Sequence, residues 1–417
     1  MKVQGEHSPR VLLVANDSYY LAWHLPRLFK AAGAHVTLMA PCKQPLRRSR
    51  FVDAFIEIVG TMPERLAAVE AHLATQEYDL ITLTEEPMVE ALANRSQRPR
   101  WMDWLEPDVA RAISSRTEFA TWAPTQGIPM APGRVCQGPE EAAEWVRTHG
   151  ASVLKCNHTR GGSGVRLVES PERMPEMWKD AGSPGEFLIQ TYIHGPTGVT
   201  ELVLRRGEIA AWFSSTKERQ EVPFGASVMR RFADPPGMAA VVEVVAQATR
   251  FRGLSGFEWA QDAETGQLHL LEFIPRAPSG FRWGPYWGVD VPGAIADLFH
   301  TGTIEHRRPP LEQQASRAPL VCYFPDHLGF AVHRKRSDLR YWLPGSRAVA
   351  WRNAAFDDPG ALTSLAWVLV SAAVRKRAQR ARRLVGKVTR PLRRRRAPEH
   401  DRTEDSSIAP QDARDRG

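Results

Sequence analysis

Cysteine is scarce in this chain: four in 417 residues, Cys42, Cys136, Cys156 and Cys322, none spaced as a CxxC pair. That scarcity argues against a structural zinc site and a disulfide framework, and fits a reducing compartment. Long apolar runs are missing too, since no stretch approaches the roughly 20 residues that cross a bilayer. The first apolar run, Val11 to Ala15, is too short for a signal-peptide core, so a cytoplasmic location is expected. The histidines show no HExxH or other paired metal spacing. No GxGxxG follows the first strand-like run, which removes the dinucleotide fingerprint. Acidic residues are absent from 375–396, where twelve Lys or Arg outweigh the net +8 of the whole chain. The remainder is therefore net acidic, and the basicity is one local segment instead of a patch with interleaved aromatics. There is no strong nucleic-acid signal.

What is present reads as alternating elements. RVLLVA, at 10–15, is a short apolar strand followed by turn residues. Leu21–Ala32 has helical spacing and stops at Gly33, and HVTLMA, at 35–40, is the next strand. With a helix near 64–75 and a strand at 78–83, residues 1–110 predict an open parallel α/β domain. Beyond it come a helix over 112–127, strands at 151–155 and 186–193, and hairpins at 199–214 and 256–273, with a helix at 241–251 between them. This run predicts α+β subdomains over 111–310, with a hinge near 190. Residues 311–360 predict a small addition, strand-rich over 320–350. Residues 361–396 predict an apolar-then-basic helix, and 397–417 a disordered tail rich in Asp, Glu, Ser and Pro.

Two clusters carry chemistry. Lys155 ends a strand, and Arg160, Gly161, Gly162, Ser163 and Gly164 follow before the next one. Glycines let backbone N–H groups approach a polyphosphate, and the lysine adds a point charge. The competing reading is a plain hairpin turn beside a solvated lysine. The second cluster is Glu258 and Glu272, on strands joined by a tight turn. An acid within the apolar run LHLLEFI is costly to bury without a cation. Two such acids on paired strands suit Mg²⁺ shared with phosphates, with Arg276 beside them to stabilise a transferring phosphoryl group. Two surface acids paired with basic neighbours are the alternative.

In order along roughly residues 10–305, these segments resemble the ATP-grasp superfamily, in the carboxylate–amine ligase branch similar to the carbamoyl phosphate synthase large subunit. SRFV, at 49–52, resembles a segment of the domain that precedes the grasp. ISSRTEFATWAPTQGIPMAPGRV resembles its opening helix and implies Arg116 as a phosphate contact. VLKCNHTRGGSGV resembles the phosphate strand and glycine lid, implying Lys155 and the loop Arg160–Gly164. FLIQTYIHG resembles the hinge strand, implying that Gln190, Thr191 and Ile193 frame adenine. STKERQEVPFGAS implies Lys217 and Arg219 as catalytic cations beside Arg276, and EWAQDAETGQLHLLEFIPRAPSG implies Glu258 and Glu272 as metal ligands.

The resemblance implies ATP and Mg²⁺ (or Mn²⁺), and activation of a small carboxylate as an acylphosphate for attack by an amine or similar nucleophile. It places the acceptor between Glu85–Glu86 and residues 279–283, and allows a homo-oligomer. The departure is Ile274, which stands where the family carries a metal-binding asparagine. It opens a second expectation, a catalytically weakened ATP-binding protein on the same fold. The segment 375–396 opens a third, contact with an anionic membrane.

Overall fold

A computed structural model describes residues 8–15, 23–95, 104–157, 162, 164–181, 186–304, 320–346, 348–351 and 356–367. The first sheet is parallel, in the order β3 (Ala54–Glu57), β2 (His35–Ala40), β1 (Arg10–Val14), β4 (Leu80–Leu83). Its central strands are near-continuous apolar runs because both faces are covered. Helix α1 (Leu25–Ala31) has Pro26 in its first turn, and Gly33 follows it at φ +84°, a conformation that favours glycine. Helix α2 (Met62–Leu73) opens on a capping box, the Thr61 N–H donating to Glu64 Oε2 at 2.6 Å. Helix α3 (Glu86–Ala93) follows β4 directly.

The helix expected over 112–127 is broken. Helix α4 (Pro107–Ser114) ends, Ser115 turns extended, and its hydroxyl accepts the Glu118 N–H, so α5 (Arg116–Trp122) begins afresh. A serine in mid-pattern competes for backbone hydrogen bonds and makes a better cap than helix interior. The break sets Arg116 at a helix start.

A second sheet, antiparallel, runs β5 (Gly133–Cys136), β8 (Phe187–Thr191), β6 (Ser152–Cys156), β7 (Val165–Val168). Helices α6 (Pro139–His149) and α7 (Met174–Ala181) pack on it around Leu154, Phe187 and Ile189.

The third sheet is six-stranded: β13 (Leu268–Ile274), β12 (Arg252–Gln261), β9 (Thr197–Arg205), β10 (Glu208–Gln220), β11 (Ser227–Phe232), β14 (Val321–Cys322). Helix α8 (Met238–Thr249) shares an apolar core with Leu202, Leu204, Trp212 and Phe257 from one face, and that core extends to Leu12 and Val14 of the first sheet. The other face is free to carry chemistry. The strand-rich addition expected over 320–350 is instead mostly helical. It holds the two-residue β14, helix Asp326–His333 and a 3₁₀ segment Arg336–Trp342. Its aromatic residues pack as a small cluster about Trp342 instead of alternating along strands. Among the described residues no helix is long and apolar enough to cross a membrane. The segments 375–396 and 397–417 lie outside the described residues.

Candidate active site

The register of the third sheet decides which side chains meet. Glu258 stands opposite Glu272 across β12–β13, Gly256 opposite Ile274 and Glu201, and Lys217 opposite Arg230. Side chains alternate at period two, so Glu258, Glu272, Ile274, Glu201, Lys217 and Arg230 share one face. Strand β6 approaches that face from the second sheet, and the Lys155 ammonium donates to the Leu271 carbonyl at 3.4 Å. A cavity of about 730 Å³ opens between them. Its walls include Arg116, Lys155, Lys217, Glu258, Glu272 and Arg276.

Most cations lining this cavity are paired with acids. Arg116 Nε donates to Glu272 Oε2 at 2.8 Å, and its Nη1 to the Cys156 carbonyl at 2.9 Å. Lys217 Nζ lies 2.6 Å from Glu258 Oε2. Arg276 Nη2 reaches Glu86 Oε1 at 2.6 Å, tying the third sheet to the start of α3. Burial alone would raise the Glu272 carboxyl, but the charge and hydrogen bond of Arg116, with Lys155 behind, hold it at about 2. The carboxylate is charged at any working pH.

Lys155 goes the other way. Burial, only partly offset by Glu272, pushes its ammonium down to about 8 from 10.5. Below pH 8 the folded and unfolded forms both carry the proton, and the burial cost is present in full. As pH rises from 8 towards 10.5, the folded form loses its proton first and that cost is relieved. A bound polyphosphate would restore the charge. Nucleotide binding is therefore expected to take up about one proton at pH 9 and almost none at pH 6.5. Calorimetry in buffers of different ionisation enthalpy measures this, and Lys155→Met should abolish the uptake. A proton count that is the same at both pH values would contradict the assignment.

The glycine loop meets the same cavity. Gly162 lines it at φ +78°, and a Cβ there would fall 2.4 Å from the Phe224 carbonyl oxygen. Only glycine lets the two loops close this tightly. The Gly164 carbonyl accepts the Cys156 N–H at 3.0 Å, continuing the β6–β7 hairpin. Arg160, Gly161 and Ser163 lie outside the described residues.

Other expected residues are placed elsewhere. Two register shifts follow Lys217 in β10, and Arg219 donates from Nε to Asp338 Oδ2 at 2.9 Å, outside the cavity lining. The Asp338 side chain is 1% exposed, so this ion pair ties β10 to the C-terminal addition. The catalytic role expected for Arg219 has no geometry behind it. The Gln190 amide donates to the Ala131 carbonyl at 3.3 Å, the Thr191 N–H to the Pro132 carbonyl at 2.8 Å, and Ile193 is half-buried. None of the three lines the cavity, whereas their neighbour Tyr192 does.

Two residues escaped the sequence reading. Arg230 Nη1 donates to Glu201 Oε1 at 2.6 Å, with the Glu201 side chain fully buried and that of Arg230 7% exposed. Burial drives the Glu201 carboxyl up to about 7 against the pull of Arg230. The signal was available: Glu201 interrupts the apolar strand TGVTELVLR as Glu272 interrupts LHLLEFI.

The donor set can be tested against a metal. Among the described residues no three or more His, Cys, Asp or Glu side chains converge to hold an ion unaided. Glu258 and Glu272 face each other across one strand pair, and Ile274, 7% exposed on the same face, offers no oxygen. Two carboxylates fit a Mg²⁺ that takes its other ligands from phosphates and water. They do not fit an ion held by protein alone.

This architecture is the ATP-grasp fold, shared with solved structures of several ligases and carboxylases. The N5-carboxyaminoimidazole synthetase of Staphylococcus aureus superposes with a TM-score of 0.56 at 14% identity, over 72% of this chain and 80% of that one. The biotin carboxylase domain of the Hydrogenobacter thermophilus 2-oxoglutarate carboxylase, solved with MgADP, ADP and bicarbonate, gives 0.55 at 16% identity over 74% and 73%. An L-amino acid ligase from Bacillus licheniformis gives 0.51 at 12% identity over 71% and 75%. At these identities the likeness is one of fold. No family model matches the sequence. No curated protein matches it either.

Proposed function

We propose that the chain is an ATP-dependent ligase that activates a small carboxylate as an acylphosphate for attack by an amine or similar nucleophile. The observation that carries this reading is the meeting of Lys155, Arg116, Glu258, Glu272, Lys217 and Arg276 on one cavity. A solved structure of the same fold with MgADP supports the nucleotide and the metal.

Lys155 and Arg116 hold phosphate oxygens from the β6 side, and Gly162 brings backbone N–H groups over them. Glu258 and Glu272 would hold Mg²⁺ together with the phosphates, and the ion would supply charge neutralisation for the transferring phosphoryl group. Lys217 and Arg276 face the transferred group from the acceptor side. An oxygen of the acid attacks the γ-phosphorus and ADP leaves. The nucleophile then attacks the acyl carbon and phosphate leaves. Low-dielectric walls strengthen each contact and shield the acylphosphate from water.

Ile274 favours a second reading, a nucleotide binder that does not turn over. One assay separates the two: ADP release from the native chain and from Ile274→Asn, over a panel of carboxylates and amines. Release by the native chain that depends on both acid and amine is expected. Turnover by the variant alone would overturn the ligase reading and establish the binder.

A further inference from the structure

Most of the large apolar side chains among the described residues are buried, and most exceptions lie beyond residue 330. Leu343 is 61% exposed, Trp351 47% and Phe356 60%. They are neighbours in space. Trp351 Nε1 donates to the Trp342 carbonyl at 2.7 Å, one residue before Leu343, and the Phe356 ring stacks on Trp351 at 6.5 Å. Trp342 is buried edge-on to Trp351 at 5.1 Å and holds its indole in place. Exposed apolar surface built on a fixed aromatic marks a contact.

Both flanks of this patch are basic. On one side Arg334, Lys335, Arg336 and Arg340 are exposed. Asp338 is the only acid between residues 327 and 356, and it is buried against Arg219. On the other side the first domain closes in. Asp358, two residues past Phe356, accepts from the Ser49 hydroxyl and from the Arg50 N–H at 3.2 Å. A Cβ on Gly360 would fall 2.0 Å from the Arg48 carbonyl oxygen. These contacts bring the 3₁₀ turn Pro45–Arg48 alongside, with Lys43, Arg47, Arg48 and Arg50 exposed and no acid between residues 42 and 52.

The signs settle the occupant. A second copy docked face to face would set one basic rim on another. The segment 375–396, with twelve Lys or Arg and no acid, carries the same sign and is no complement. A nucleic acid would match the charge and stack on Trp351 and Phe356, but Leu343 gains nothing from bases. A bilayer containing anionic lipid satisfies both parts. Its surface potential attracts the rims, and its headgroup–acyl boundary takes Trp, Phe and Leu. We propose that the face built by Leu343, Trp351 and Phe356, rimmed by the basic residues at 43–50 and 334–340, docks peripherally on an anionic membrane surface. The charge of 375–396 adds to the attraction, and the face itself fixes the orientation.

Co-sedimentation of the full chain with vesicles tests this. The vesicles are phosphatidylcholine alone, or phosphatidylcholine and phosphatidylglycerol in equal parts. The native chain should bind the mixed vesicles alone, and less as salt is raised. Leu343→Ser/Phe356→Ser removes the apolar centre and leaves every charge, whereas Arg47→Gln/Arg48→Gln thins one rim and leaves the apolar centre. Each should bind mixed vesicles about tenfold more weakly, with the urea midpoint unchanged. The two variants alter different parts of the fold, so a folding defect in one leaves the other to decide. Binding at native strength by both variants would place the contact in 375–396 and overturn the docking face, as would a native chain that ignores mixed vesicles. A single-stranded oligonucleotide bound more tightly than the mixed vesicles, and weakened by the same two variants, would overturn the lipid in favour of nucleic acid.

Discussion

Glu272→Gln is expected to tighten ADP binding without metal and to abolish the gain that Mg²⁺ brings. In the native chain Arg116 is occupied by Glu272, which also offsets part of the burial cost of charging Lys155. Removing the negative charge frees Arg116 for an anion, so ADP in the presence of a chelator should bind about tenfold tighter, the equivalent of about 1.4 kcal/mol. The same change takes one of two carboxylates from the metal. The gain in affinity on adding Mg²⁺ should vanish, and acid-dependent ADP release should fall about 10³-fold. Titration of ADP with and without Mg²⁺ reads both effects. A variant with native Mg²⁺ dependence and turnover within threefold would show that Glu272 is a structural partner of Arg116 and nothing more.

The second large effect concerns stability. Arg230→Leu leaves Glu201 fully buried with no cation, and such a loss costs about 3–5 kcal/mol. Glu201 can escape part of the cost by staying protonated, since burial already pushes it up to about 7. The destabilisation should therefore be smaller at pH 5 than at pH 8. The double variant Glu201→Leu/Arg230→Leu replaces the pair with apolar groups and should recover most of the loss, as buried pairs often exchange for hydrophobic residues at little cost. Urea unfolding of the two singles and the double gives the coupling directly. Equal stability of Arg230→Leu and the double variant would contradict a coupled pair.

Why the chain carries this costly pair follows from its position. Glu201 fixes the guanidinium on the same sheet face as Glu258 and Lys217, so the desolvation spent on it buys a defined orientation at the cavity wall. Asp338 does the same for Arg219 on the far side of the β10 irregularity. Charge pairs of both kinds register the strand that carries Lys217.

Much of the fold was legible because its signals are local. Apolar runs of four to six residues with turn residues between them marked β1, β2 and β4, and Arg206–Gly207 marked a hairpin that the ladder β9–β10 reproduces. Glu272 was legible as a candidate because an acid in an apolar strand is expensive and therefore informative. What was not legible depends on register and bulges. The spacing of Lys217 and Arg219 suggests two cations on one face, yet a register shift in β10 separates them. The helix across 112–127 has continuous helical pattern, and only the cap at Ser115 reveals the break that presents Arg116. Arg230 sits beside a second arginine in SVMRRF. Composition alone does not tell that one is buried against Glu201 and the other paired outside with Glu218.

The account stands on one triphosphate reaching Lys155 and both glutamates together. Crystals grown with Mn²⁺ and a non-hydrolysable ATP analogue, measured at the manganese absorption edge, test it directly. The anomalous peak should lie between Glu258 and Glu272, bridging to phosphate oxygens that accept from Lys155. A nucleotide bound away from that lysine, or manganese on acids elsewhere, would contradict it.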